Sequence, residues 1–297
     1  MKLLKFRESR VKLDVRRSSG ARRKSKVEIP ITVLIFSHQA ERTITQALHS
    51  VLDQETDFPF EIILFDDAST DGTVQVALSE LTSSRATWTL ITPEKNFYSA
   101  GLNRMQTTLK FVKSEFVARL DGDDYWIGSG KLQRQYELLR ANPELPVACT
   151  SWQIVDEVSK VIERPEIPGS GNFVPYSELL KANFICNSSV VFRAKAARGL
   201  PPSIQGLVVR DYAMWGYMTC GKDVLVDRTL GTSYRSHPTS IWMSKPLRER
   251  VLDEITSLEW LAENVRESEL ARLWKKRARD SYEWFQSNID GQGKPAA

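Results

Sequence analysis

Only three cysteines occur in 297 residues, Cys149, Cys186 and Cys220, too few and too scattered for a disulfide framework or a zinc site. A reduced, cytosolic compartment fits that usage. No stretch approaches the roughly 18 uninterrupted apolar residues of a membrane helix. The first 30 residues lack the apolar core of a secretory signal. Neither a Gly-x-Gly-x-x-Gly turn nor a phosphate-binding P-loop is present, so no glycine cradle is available for phosphate. What is there suffices for a folded protein: 41% of residues are hydrophobic and 26% charged, which rules out disorder as the main state. The length allows two domains, or one large α/β domain with additions.

Charge is unevenly placed. The net charge is +4, yet residues 1–28 alone carry +8 and the remainder −4. The basic balance therefore belongs to the first segment, and nucleic-acid binding by the main body gains nothing from it. With few large apolar residues and no sustained periodicity, 1–28 is expected to be a mobile basic arm. Such an arm is either a solvated tail or a contact for anionic lipid, with Leu3, Leu4 and Phe6 adding a little insertion.

From Ile29 the pattern changes. Ile31-Thr-Val-Leu-Ile-Phe36, Phe60-Glu-Ile-Ile-Leu-Phe65, Trp88-Thr-Leu-Ile-Thr92 and Phe116-Val-Ala-Arg-Leu120 are apolar runs of strand length, separated by helical spacings. That alternation predicts an α/β fold with a doubly wound, mostly parallel sheet. In such sheets ligands gather at the carboxyl ends of the strands, where Asp66-Asp67 and Asp121-Gly-Asp123-Asp124 both fall. Residues 29–126 carry this regular alternation, and 127–245 are less regular. The apolar stripe over 246–287 predicts helices broken near Glu267–Glu269, and 288–297 reads as a frayed tail.

Three carboxylates in four residues, Asp121, Asp123 and Asp124, repel one another unless a cation sits among them. A hard divalent ion, Mg²⁺ or Mn²⁺, answers this and would in turn bind phosphate oxygens; the alternative is a solvated turn. Asp66-Asp67 before Asp71-Gly72 is either a capped turn or an acceptor for a base N–H or ribose hydroxyl. Together the two acidic strand ends suggest one nucleotide lying across the edge.

Taken in order, these motifs resemble the family two glycosyltransferases of the GT-A fold, the inverting nucleotide-sugar enzymes of bacterial polysaccharide synthesis. The resemblance spans about residues 30–245 and implies a nucleotide-sugar-binding half over 29–126 and an acceptor-binding half over 127–245. It rests on the first strand, Ala47-Leu-His-Ser-Val-Leu-Asp-Gln54 after it, and Asp66-Asp-Ala-Ser-Thr-Asp-Gly-Thr73. Asn96 through Asn103 and Leu120-Asp-Gly-Asp-Asp-Tyr-Trp126 complete it. It implies that Ser37 and Glu41 lie near the base, that Asp67 bonds it, and that Asn103 touches the nucleotide. Asp121 would face the ribose or a basic partner. Asp123, with Asp124, would hold the metal, His237 would reach the metal or diphosphate, and Asp211 would be the catalytic base. The implied donor is a nucleotide-diphosphate sugar, UDP-sugar favoured. The implied acceptor is a glycan or lipid-linked sugar at the inner face of a membrane. Without the resemblance Asp211 reads equally as a helix cap, and His237 as a structural histidine. Trp152, Trp215 and Trp242 lie in the acceptor half as core residues or sugar platforms. Two departures from the family pattern stand out: His38-Gln39 replaces a frequent Tyr-Asn, and Phe97 replaces a glycine. A nucleotidyltransferase on the same fold and a non-catalytic adaptor are the rival readings. The first lacks its basic glycine-rich segment; the second is opposed by the full set of acids.

Overall fold

The computed structural model describes residues 2–8, 11–18, 28–208, 210–237 and 245–290. In chain order, β1 (Lys2–Glu8) and β2 (Val11–Arg17) precede β3 (Ile31–Ser37), α1 (Ile44–Leu52), β4 (Phe60–Asp66), α2 (Thr73–Ser83), β5 (Thr87–Pro93), α3 (Arg104–Leu109) and β6 (Phe116–Asp121). The second half adds β7 (Tyr125–Trp126), α4 (Lys131–Ala141), β8 (Val147–Val155), β9 (Val161–Glu163), β10 (Phe173–Val174) and α5 (Tyr176–Lys181). There follow β11 (Val190–Arg193), α6 (Ala194–Arg198), α7 (Arg210–Thr219), β12 (Val224–Arg235), α8 (Leu247–Asn264) and α9 (Ser268–Phe285).

The sheet runs β1-β2-β5-β4-β3-β6-β11-β8-β12-β10. Its centre, β5-β4-β3-β6, is parallel and buried on both faces, which explains the continuous apolar runs. Val33, Ile35, Ile62 and Leu64 cluster with α1, α2 and α4, while Leu34, Phe36, Ile63 and Phe65 cluster with α3 and α7. Register levels the strand ends: Ser37 lies opposite Asp66, and Phe36 opposite Asp121. Beyond β6 the sheet is mixed. β11 is antiparallel to both β6 and β8, and β12 is parallel to β8. Two reversals restore the original direction, so β8 and β12 also end at the edge carrying Asp121.

The expected mobile arm needs correction. Val11, Leu13 and Val15 alternate with polar residues, bury against the core, and β2 pairs antiparallel with β5 while β1 pairs with β2. This period-two signal was outweighed in the sequence by the density of lysine and arginine around it. Residues 19–27 lie outside the described residues, as do 291–297 of the expected frayed tail; Gln286–Asp290 forms a π-helical turn. The break between the last two helices falls at Val265–Glu267, close to its expected place. Trp274 secures α9: fully buried, it donates its indole N–H to the Tyr176 hydroxyl (2.7 Å) and sets its ring edge-on to Tyr176 and Tyr212. Trp215, read as a possible sugar platform, is fully buried against Phe192 and belongs to the core.

Lys131 at the start of α4 is wholly buried. Its ammonium lies 4.2 Å from the centre of the Trp126 ring and donates to Gln135 Oε1 (2.7 Å). Burial pushes its pKa down to about 7, against the pull of Asp227. An unfolded lysine titrates near 10.4. Between pH 7 and 10 the unfolded chain therefore holds a proton that the folded chain lacks, and stability rises with pH across that window; below pH 7 the penalty is constant. Urea unfolding at pH 7 to 10 should show this rise in the wild type and a flatter profile in Lys131→Met. Parallel profiles would show that Lys131 is charged throughout.

Candidate active site

The edge is assembled from β3, β4, β6, β12 and α7. At the end of β4, Asp66 is buried and ties the turn together: it accepts from the hydroxyls of Ser37 (3.0 Å) and Ser69 (2.6 Å) and from the Ser69 amide (2.9 Å). Asp67 is buried too. Its carboxylate accepts the amides of Phe97 (2.5 Å) and Tyr98 (3.4 Å), and its carbonyl accepts from Asn96 Nδ2 (3.0 Å). Phe97 accounts for the lost glycine: its ring is fully buried edge-on to Phe65, which pins the loop over Asp67.

At the end of β6, Asp121 lies beside two arginines. Arg119, two residues earlier on the same side of the strand, places Nη2 3.3 Å from both of its oxygens, and Arg104 lies 3.9 Å away. Gly122 lets this turn approach β3, since a Cβ there would sit 2.9 Å from the Ser37 Cβ. Asp123 is half-exposed and meets His237 Nε2 at 3.1 Å, a bond that raises the imidazole pKa. Arg235 holds the turn from β12, donating from its amide to Asp124 (2.8 Å) and from Nε to the Asp123 carbonyl (2.9 Å). In the first turn of α7, half-buried Asp211 accepts the Tyr212 amide (2.9 Å). Burial raises its pKa, Arg119 pulls it back and Asp121 pushes it further, so α7 brings this carboxylate into the field of the β6 end.

Residues 32–199, more than half of the chain, match the family model described as glycosyl transferase family 2. The chain belongs to that family. It is 35% identical over 190 residues to WfgD of Escherichia coli, a UDP-Glc:α-D-GlcNAc-diphosphoundecaprenol β-1,3-glucosyltransferase, covering 62% of this chain and 68% of WfgD. Two solved structures share its fold. Staphylococcus aureus TarS 1-349 in complex with UDP-GlcNAc has a TM-score of 0.66 at 16% identity, covering 89% of this chain and 75% of that one. Mannosyltransferase PcManGT from Pyrobaculum calidifontis, in complex with GDP-Man and Mn²⁺, has a TM-score of 0.59 at 12% identity, covering 89% and 76%. The chain spans 61% of the length of the first curated relatives it matches.

The remaining residues implied by the family pattern are engaged within the turns of this edge. Ser37 is buried and donates to Asp66. Glu41 accepts the Gly72 amide (3.0 Å) and so joins the β3 and β4 turns; a Cβ at Gly72 would lie 2.4 Å from its Oε1. Asn103 caps α3, accepting from the Gln106 amide (3.1 Å). Asp124 is buried, with both oxygens engaged by the Ser188 hydroxyl (2.5 Å) and the Arg235 amide. Burial first, then Asp123 and Asp121, hold its carboxyl well above the usual range. Trp242 lies outside the described residues.

Arg104 is the residue that sequence reading passed over. Burial lowers its pKa while Asp121, Asp67 and Asp123 raise it, so one guanidinium lies among the three carboxylates of this edge. Its signal was its position, in the first turn of the helix that Asn103 caps.

Among the described residues no three histidine, cysteine, aspartate or glutamate side chains gather as a closed metal site. The Asp123–His237 pair nevertheless suits an ion that keeps most of its shell for other ligands. One hard carboxylate oxygen and one imidazole, half-exposed, leave room for phosphate oxygens and water. No helix among the described residues is long and apolar enough to cross a membrane.

Proposed function

We propose that the protein transfers a sugar from a nucleotide-diphosphate sugar, in first place a UDP-sugar, to a hydroxyl of a lipid-linked or glycan acceptor with inversion. The observation that carries this reading is the convergence of Asp67, Asp121, the Asp123–His237 pair and Asp211, from four separate elements, on one strand edge. The glucosyltransferase activity named for WfgD, the UDP-GlcNAc bound to TarS and the Mn²⁺ bound to PcManGT point the same way.

The division of labour follows from the residues. Asp67, fixed by two backbone amides, keeps unused lone pairs for a base N–H. Asp121, oriented by Arg119, faces the ribose. Asp123 and His237 would hold a Mn²⁺ or Mg²⁺ ion, which when bound would neutralise charge on the departing nucleoside diphosphate. Arg104 and Arg210, both in the field of Asp67, add positive charge on the same side. Asp211, made more basic by burial, accepts the proton of the acceptor hydroxyl as its oxygen attacks the anomeric carbon opposite the leaving group. A single displacement inverts the configuration. A lipid-linked acceptor would place this work at the inner face of a membrane.

Thermal unfolding with a panel of nucleoside diphosphates, with and without Mn²⁺, tests the reading. UDP at 100 times its dissociation constant with Mn²⁺ should add about 2.7 kcal/mol of stability, and chelator should remove it. A panel in which no nucleoside diphosphate stabilises the protein under either condition would overturn the donor assignment.

A further inference from the structure

We propose that the groove between β8 and the loop after β9 is an acceptor subsite that binds a pyranose ring; this rests on the glycosyltransferase reading above. The groove has a volume of about 700 Å³ and is lined by Trp152 of β8, by Arg164, Pro165 and Glu166 of the loop, and by Leu230 of β12. A sugar ring presents an apolar C–H face and a rim of hydroxyls. The lining matches both: an indole with proline and leucine for the face, a guanidinium and a carboxylate for the rim.

The site is held in shape. Arg228 spends its guanidinium on the loop carbonyls, donating to Ile167 (2.9 Å), Pro168 (2.8 Å) and Gly171 (2.9 and 2.8 Å), and Ile167 is buried in the core. Trp152 is fixed as well. Its N–H donates to the Phe184 carbonyl (3.2 Å) and its ring stands edge-on to Tyr234 at 6.4 Å. With the N–H taken, what the indole offers a ligand is its apolar surface. Arg164 and Glu166 are exposed.

Placement ties the groove to the reaction. Trp152 lies level with the end of β6 and two strands from it, because Ala118 and Ala148 both face Val191 of β11; at about 4.8 Å per strand that is roughly 10 Å from Asp121. The adjacent β12 continues from Tyr234 to His237 and so to Asp123. A chain of one or two sugar rings spans that distance. The groove would thus read the sugar next to the one that accepts transfer.

The test is ¹⁹F NMR of the full chain labelled with 5-fluorotryptophan, the Trp152 line being assigned with Trp152→Phe. The probes are glucose, galactose, mannose, N-acetylglucosamine and glucuronic acid at tens of millimolar. At least one should shift the Trp152 line saturably, and Arg164→Ala or Glu166→Gln should weaken that sugar about tenfold, as expected for loss of a charge-assisted hydrogen bond. Arg164→Ala should bind UDP and Mn²⁺ as the wild type does. A Trp152 line that no sugar moves, while UDP binds normally, overturns the groove alone. The same follows if the line moves equally in wild type and the Arg164→Ala/Glu166→Gln double variant. Failure of UDP to bind the wild type would instead overturn the donor reading, and with it the acceptor role of the groove.

Discussion

Asp211→Asn is expected to lower sugar transfer by about 10²- to 10⁴-fold, the usual worth of a general base, while leaving UDP affinity and unfolding free energy nearly unchanged. An amide cannot take the acceptor proton, so the loss belongs in the rate. Asparagine is also the fairest replacement for shape. It keeps an oxygen for the Tyr212 amide and nearly the same side-chain shape. A purely structural Asp211 would therefore give an active Asn variant. The raised pKa adds a second readout. Transfer by the wild type should fall as pH drops through that raised value, where the carboxylate gains a proton and stops accepting one. A fully active Asn variant with an unchanged acid limb would remove Asp211 from the mechanism.

The nucleotide half of the fold was legible because its strands are buried on both faces. Runs such as Ile31–Phe36 and Phe60–Phe65 have no other economical reading than parallel strands between helices. Arg119 beside Asp121 was also legible in principle, since period two places them on one side of β6. Strand β2 was not, because its alternation is carried by only three apolar residues among charges. The four residues of Asp121-Gly-Asp-Asp could not show which carboxylate turns inward. That is decided by Ser188 and Arg235, which reach Asp124 from 64 and 111 residues away. Asn103, named from the family resemblance as a nucleotide contact, caps α3 in the structure, a role that its place just before Arg104 allows. Motif spacing thus marked the acidic strand ends, while contacts between distant segments sorted their carboxylates by burial and hydrogen bonding.

That sorting has a sharp consequence for two neighbouring residues. Asp123→Ala is expected to abolish Mn²⁺-dependent UDP binding, so that the roughly 2.7 kcal/mol of stabilisation expected at 100 times the dissociation constant falls to nearly zero. The fold should survive. Asp123 is half-exposed, and its removal relieves repulsion with Asp121 and Asp124, whose carboxyl it raises. His237 alone is one neutral nitrogen and cannot replace a hard anionic oxygen for Mn²⁺ or Mg²⁺. Asp124→Asn should behave in the opposite way. Its oxygens already serve Ser188 and Arg235, and burial holds the group toward its neutral form. An amide there keeps an acceptor for the Arg235 amide and leaves the charge at the edge nearly as it was. UDP and Mn²⁺ should then bind Asp124→Asn within a few-fold of wild type. Calorimetric titration of both variants with UDP, in Mn²⁺ and in chelator, separates the roles. If Asp123→Ala binds as the wild type does while Asp124→Asn loses the metal dependence, the ion belongs to Asp124 and the turn must open on binding to present it.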